Sequence, residues 1–389
     1  MNLLRIVLLH LRNTAWTRHL RHARTITTNQ FGGIFKDINV DPSNLKKEPD
    51  VRDFLPSLSQ YQSLYNKNEI KVNGTVAKQV VDLAVDSLNT PNPNLTSDLA
   101  KLCSPDDMGI LGTVMCNISK VTRPVGLALF KAGTNLGGLE CEFRYAMYLS
   151  RGTPEESKLA KHHMESLALK GYPKAQTWVG SAKLSTNASA GVELLRKAAS
   201  KNDVDALMAL GFMFKNGNKV PRNLKLAHEY LMKAHHLGNV EATYGLVLIY
   251  RDPDMKDMEK ATIMCKQAAT AGLAAAQHDY ANMHLYGYYL PKSLWKAIEY
   301  FRMAATQGFT PSQLNLVKIF NVGYKVGDEE VKADLNEARR WLVAAEKGLS
   351  GSVRASEAME NDVRELRELF DGEVKKIAER QKDETCVVM

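Results

Sequence analysis

Residues 261–287 read ATIMCKQAATAGLAAAQHDYANMHLYG. Ala261, Cys265 and Ala268 stand four and three apart, and Ala276 follows beyond Gly272. Steps of three and four keep side chains on one face of a helix. Small side chains on that face let a second helix approach closely. Gly272 interrupts the pattern, and a helix end commonly needs a residue that tolerates positive φ. The stretch therefore predicts a helix, a tight turn at Gly272, and a second helix that ends near Gly287.

The same grammar runs outward in both directions. Marking a turn at Gly137, Gly171, Asn202, Gly238, Gly272, Gly308 and Gly348 gives spacings of 34, 31, 36, 34, 36 and 40. Four residues after the marks stand Cys141, Ala175, Ala206, Ala242, Ala276, Ser312 and Ser352, all small. Four before stand Gly133, Leu167, Ala198, Ala234, Ala268, Ala304 and Ala344. Seven before stand Phe130, Met164, Leu195, Leu231, Cys265, Phe301 and Trp341, mostly bulky and apolar. Eleven before stand Gly126, Ala160, Gly191, Ala227, Ala261 and Ala297, with the seventh unit slipping by one to Ala338. A further glycine column, Gly152, Gly217, Gly287 and Gly323, lies fifteen after its marks, where the helix following the turn should end. Asn202 suits a mark because Asn tolerates the left-handed conformation. Each unit reads as helix A, a loop, helix B and a turn. The expected fold is all-α, an α-solenoid forming a right-handed superhelix of about seven two-helix units with helical caps.

These residues resemble the Sel-one-like repeat, an extended relative of the tetratricopeptide repeat. The clearest stretches are AHEYLMKAHHLGNVEATYGLVLIY (227–250), residues 261–287, and AIEYFRMAATQG (297–308). The resemblance covers about 120–355 and implies an adaptor. Proteins of this kind include subunits of membrane-protein degradation complexes, fungal chitin synthase activators and mitochondrial respiratory-complex assembly factors.

Outside the repeats, residues 1–28 form a segment without acids that carries Arg5, Arg12, Arg18, Arg21 and Arg24 among Leu, Ile, Val and Trp. That composition predicts a mitochondrial presequence. Arg5, His10 and Arg12 break any secretory apolar core. Residues 29–50 read as a linker, 51–122 as an N-terminal helical cap with a helix over 76–88, and 123–353 as the repeat solenoid. Residues 354–382 read as an amphipathic helix with Val363, Leu366, Leu369, Phe370, Val374 and Ile377 at helical spacing, and 383–389 as a tail. The last four residues, Cys386-Val387-Val388-Met389, fit a farnesyl-type prenylation box. The two addresses conflict, because prenylation is cytosolic. The first is preferred here; the farnesylated cytosolic adaptor that activates a membrane enzyme is the alternative.

Net charge is +8, and removing the five leader arginines leaves about +3. That balance speaks against a nucleic-acid surface and against the further alternative of a mitochondrial gene-expression factor. Cys103, Cys116, Cys141, Cys265 and Cys386 form no C-x-x-C pair, which argues against a disulfide framework or a zinc site. No phosphate loop, dinucleotide fingerprint or nucleophile elbow occurs. Adjacent histidines His162-His163 and His235-His236 diverge by about 100° on a helix and cannot easily share a metal. The expected protein has no catalytic residues, cofactor or metal. It is a protein-binding scaffold of mitochondria, at the matrix side or peripheral to the inner membrane. Its expected partner is an inner-membrane subunit or an assembly intermediate rather than a small molecule.

The tetratricopeptide analogy places positions six and ten after each mark on a concave groove. They are Phe143 and Met147, Thr177 and Ser181, Met208 and Phe212, Tyr244 and Leu248, and His278 and Asn282. Phe143, Met147, Met208, Phe212, Tyr244, Leu248, His278 and Asn282 are the expected partner-binding residues. The competing reading buries them against the next repeat.

Overall fold

The computed structural model describes residues 50–350 and 357–387. The expected presequence (1–28), nearly all of the linker and the side chain of Cys386 lie outside the described residues. The fold is an α-solenoid of consecutively paired helices. The chain divides into two compact units, one ending at Leu210 and the other beginning at Gly211.

In the first unit a short 3₁₀ turn, Val51–Phe54, precedes α1 (Leu58–Asn66), α2 (Gly74–Asn89), α3 (Leu95–Leu102) and α4 (Pro105–Ile118). Their apolar faces meet in a cluster that includes Tyr61, Val80, Leu99, Met108 and Leu111, and it takes in Leu129 of the following helix. Local chemistry starts these helices. Asn73 Oδ1 accepts from Val76 N at 3.0 Å. Ser104 and Asp107 form a capping box ahead of Pro105, and Thr153 and Glu156 form another ahead of Pro154. The repeats then run through α5 (Arg123–Asn135), α6 (Leu139–Leu149), α7 (Pro154–Leu169), α8 (Pro173–Lys183), α9 (Ala188–Ser200) and the first half of α10 (Val204–Asn216), whose second half belongs to the next unit.

The second unit continues with α11 (Leu224–His236), α12 (Val240–Tyr250), a 3₁₀ turn Pro253–Met255, α13 (Met258–Thr270), α14 (Ala274–Tyr286), α15 (Leu294–Thr306) and α16 (Thr310–Val322). A hairpin of β1 (Tyr324–Val326) and β2 (Glu329–Val331) follows, pairing Tyr324 with Val331 and Val326 with Glu329. Then come α17 (Leu335–Ser350) and α18 (Glu357–Val387). Val363, Leu366 and Phe370 of α18 are buried in the cluster that holds Phe301, Phe320 and Leu342. Leu369, Val374 and Ile377 remain exposed. Arg367 Nη2 pairs with Glu346 Oε2 at 2.6 Å and ties α18 to α17.

At the first six marks the positions eleven, seven and four before, and four after, are all buried. Five of those marks are glycines with φ between +80° and +93°, and Asn202 has φ +60°. The turn at Gly272 shows the bonding: Leu273 N donates to Ala268 O at 3.1 Å and Gly272 N to Ala269 O at 3.0 Å. A side chain completes the seal. Gln176, Gln277 and Gln313, five after their marks, are buried, and their Nε2 atoms donate to Ala168 O, Ala269 O and Ala305 O at 3.3, 3.1 and 3.0 Å. Each thus adds a second hydrogen bond to a last-turn carbonyl that already accepts from the amide of Gly171, Gly272 or Gly308.

The seventh unit corrects the expected register. Gly348 lies inside α17 rather than at a turn, and its φ is not positive. Leu342 and Ala345 are buried in place of Trp341 and Ala344, so the buried phase of this unit runs one residue later, counted from Leu349, which is itself helical. Helix caps agree. Asn187, Asn223, Asp257 and Ser293, fifteen before their marks, accept from the amide three residues on, and so does Asp334, fifteen before Leu349. The fifteen-after glycine column also divides. Gly217, Gly287 and Gly323 have positive φ at the ends of helices A, whereas Gly152 does not.

Candidate partner-binding face

The A helices are α6, α8, α10, α12, α14 and α16, and the two expected groove columns on them behave differently. Six after the mark, Phe143 and Met208 are core side chains, 6% and 2% exposed, and Thr177 is buried too. Phe143 packs on the Tyr172 ring at 5.6 Å. This column reaches forward to the next repeat. Thr177 Oγ1 donates to Asp203 Oδ1 at 2.7 Å. Tyr244 Oη donates to Asp279 Oδ2 at 3.0 Å. His278 Nδ1 lies 2.9 Å from Ser312 Oγ, between the rings of Phe301 and Phe309. Phe143 and Met208 therefore leave the candidate face, because helix stacking covers them. Tyr244 and His278 are half-buried and serve the stack first.

Ten after the mark, Met147, Ser181, Phe212, Leu248 and Asn282 are all half-buried, and Lys318 is exposed. One turn of helix carries these side chains past the crossing with the next repeat. Within the second unit this leaves Phe212, Leu248, Asn282 and Lys318 as a row on successive A helices. Asn282 Nδ2 lies 3.0 Å from His278 Nε2, which fixes its amide beside the stacked imidazole.

Beside this row is a charged group that sequence reading passed over. Arg251 Nη1 pairs with Asp279 Oδ2 at 2.5 Å, the same oxygen that accepts from Tyr244. Burial, and then the Asp279 charge, raise the Tyr244 phenol above its ordinary value, so it stays a donor. Burial lowers the His278 imidazole against the pull of Asp279. Its Ser312 and Asn282 contacts are those of a neutral ring. Arg251 closes α12 on its C-terminal side, a location that favours a cation.

The paired histidines have structural neighbours. His163 Nδ1 lies 3.0 Å from Glu142 Oε1, and His235 Nδ1 lies 2.7 Å from Thr243 Oγ1. Among the described residues no three His, Cys, Asp or Glu side chains cluster as metal ligands would. Burial pushes the Cys103, Cys116, Cys141 and Cys265 thiols up to about 12, away from thiolate chemistry. Sequence reading also missed a run of exposed aromatics, Tyr286, Tyr288, Tyr289 and Trp295, around the loop after α14. The signal was present as YGYYLPKSLW, residues 286–295.

A family model, the Sel1 repeat, matches residues 139–172, 178–203, 204–239, 274–309 and 319–347. An uncharacterised protein of Neisseria meningitidis serogroup B is 31% identical over 128 residues, which is 32% of this chain and 27% of that relative. The chain thus spans about a quarter of that relative's length. Among solved structures, a Sel1 repeat protein from Oxalobacter formigenes aligns with a TM-score of 0.55 and 19% identity, over 85% of this chain and 100% of that one. A protective antigen of uropathogenic Escherichia coli with an SLR fold aligns at a TM-score of 0.38 and 19% identity, over 72% of each chain. Three of the matched segments begin at the first residue of an A helix, α6, α10 or α14, and run through the following B helix. The sequence repeat, the structural repeat and the family repeat are one unit, and the chain carries Sel1 repeats between residues 139 and 347.

Proposed function

We propose that this scaffold is not an enzyme and holds a segment of another protein against the A-helix face of its second unit, with Phe212 and Leu248 as apolar contacts and Asn282 and Lys318 as polar ones. One observation carries the reading. The column six after each mark is buried or, at Tyr244 and His278, half-buried and bonded to the next repeat, whereas the column ten after is half-open or exposed in every repeat. A row at repeat spacing suits an elongated ligand, such as an amphipathic helix. The place of action is the mitochondrion, at the matrix side or on the inner-membrane periphery. Residues 1–28 supply that address through cationic amphipathicity without acids. The proposed task is assembly of an inner-membrane respiratory complex, by likeness to repeat proteins that assist such assembly.

The test places a photo-crosslinking residue at position 212, 248 or 282, and at the exposed Ile263 of the B helix α13 as control. One and the same protein should be captured from isolated mitochondria at the first three positions and not at 263. Phe212→Ser with Leu248→Ser should lose it while keeping the wild-type melt. Equal capture at 263, or retention by the folded double variant, overturns the face.

A further inference from the structure

Two A–B loops of the second unit share one backbone and carry opposite surfaces. After α10, Gly217 and Lys219 have φ +68° and +65°. After α14, Gly287 and Tyr289 have φ +75° and +57°. Asn218 N donates to Met213 O, and Tyr288 N donates to Met283 O, both at 3.0 Å. Asn223 N closes the first loop on Phe214 O at 2.8 Å, and Ser293 N closes the second on His284 O at 3.0 Å. The loops correspond position by position, seventy residues apart. The first loop and its flanks carry Asn216, Asn218, Lys219 and Lys225, all polar. The second carries Tyr286, Tyr288, Tyr289 and Trp295 at the same four places, 49%, 59%, 57% and 56% exposed.

The fold therefore does not require the aromatics, since a polar set closes the same loop. Tyr289 even takes the left-handed region, which a bulky side chain rarely adopts. Tyr286 and Tyr288 lie 5.6 Å apart ring to ring, and Tyr289 and Trp295 are exposed on the same short segment. Charge points to its occupant. Residues 286–296 carry Lys292 and Lys296, both exposed, and no acid or arginine. Glu329 reaches this segment from the hairpin, but its carboxylate accepts from Ser293 Oγ and from the Leu294 and Trp295 amides at the start of α15. Protein interfaces favour arginine and are depleted in lysine. Tyrosine and tryptophan with lysine is instead the set that settles at lipid headgroups. Among the described residues no helix is long and apolar enough to cross a membrane, so contact would be at the surface.

We propose that Tyr286, Tyr288, Tyr289 and Trp295, flanked by Lys292 and Lys296, seat this loop in an anionic bilayer surface. This proposal does not depend on the face formed by Phe212, Leu248 and Asn282. The experiment mixes the full chain with vesicles of phosphatidylcholine alone, or of phosphatidylcholine with phosphatidylserine. The emission of Trp295 is isolated as the difference between wild type and Trp295→Tyr, which separates it from any binding by residues 1–28. Trp295 emission should shift to the blue and be quenched by brominated lipid on the anionic vesicles only. Lys292→Gln with Lys296→Gln should weaken that quenching several-fold. Tyr286→Asn, Tyr288→Asn, Tyr289→Asn and Trp295→Gln together should melt as wild type, because the sister loop folds with polar residues there. That variant should lose the loop's share of vesicle binding. Unchanged Trp295 emission on pelleted vesicles overturns the proposal. So does undiminished binding by the folded four-site variant, or a photo-crosslink from position 288 that goes to a protein and not to lipid.

Discussion

Gly191→Ala and Gly372→Ala are the same substitution in two helices, and they should move stability in opposite directions. Gly191 lies in the first turns of α9, where its amide donates to Asn187 O at 3.0 Å. Across the crossing, a Cβ on Gly191 would come 2.8 Å from Gly180 O and 3.0 Å from Leu184 N, both backbone atoms of the hairpin partner. A Cβ on Gly180 would in turn stand 3.0 Å from Gly191 O. Neither neighbour is a flexible side-chain tip, so the helices would have to separate. Overpacking of this kind costs about 1–3 kcal/mol, and the higher helix propensity of alanine returns about 1 kcal/mol. With backbone as the obstacle the upper part of that range applies, and the net loss is about 2 kcal/mol. Gly372 in α18 has nothing within 4 Å of an added Cβ, so only propensity acts there, and the change should stabilise by up to about 1 kcal/mol. Urea unfolding followed by circular dichroism reads both as midpoint shifts. A stabilised Gly191→Ala, or two shifts of the same sign, would refute the claim that a glycine contact sets the distance between α8 and α9.

A second pair tests the corrected register: Gly348→Ala should be neutral or slightly stabilising, since its Cβ would meet only Thr310 Oγ1 at 3.5 Å, whereas Gly272→Ala at φ +93° should cost about 1 kcal/mol. Equal losses in urea midpoint would restore Gly348 as a turn. His278 supplies a pH test. Burial lowers its folded-state pKa below the ordinary imidazole value of 6.5, so the unfolded chain binds the proton first. Its contribution is complete above that value and is lost as pH falls through and below it. His278→Gln should therefore flatten the decline in melting temperature from about pH 7.5 to about 5.5, and identical slopes would exclude the effect. The two terminal addresses separate in cells. Residues 1–28 should carry a reporter to mitochondria and Cys386→Ser should change nothing, while Cys386-dependent labelling by a farnesyl analogue would reverse their order.

The stack was legible because its constraint is local and repeated. Ala242 and Ala276 sit four after their turns, and Ala234 and Ala268 four before, where one methyl is the space available between crossing helices. The last unit misled because glycine served as the flag. Gly348 is an ordinary helical residue, and the slip to Ala338 was the truer sign. The cap column of Asn187, Asn223, Asp257, Ser293 and Asp334 would have fixed that register from sequence, but it changes residue type from unit to unit. The candidate face was less legible. Offsets along a helix tell which way Met208 and Phe212 point, but not how deeply each is covered. Burial takes Met208 and leaves Phe212 partly open. The hairpin 324–331 escaped notice because three residues per strand give too little alternation to outweigh a helical neighbourhood.

The buried glutamines that seal the turns give the molecule a grain. Gln277 belongs to the helix after the turn but donates to Ala269 O in the helix before it, and its own Oε1 accepts from Gln307 Nε2 at 2.8 Å, one repeat further on. A chain cut just behind Gly272 would part Gln277 from Ala269 and leave that carbonyl with only the Gly272 amide. A chain cut in the exposed loops that follow α10 and α14 would leave that bond whole. Proteases and recombination alike should therefore part this protein between helix A and helix B, and its exchangeable module would run from one B helix through the sealed turn to the next A helix.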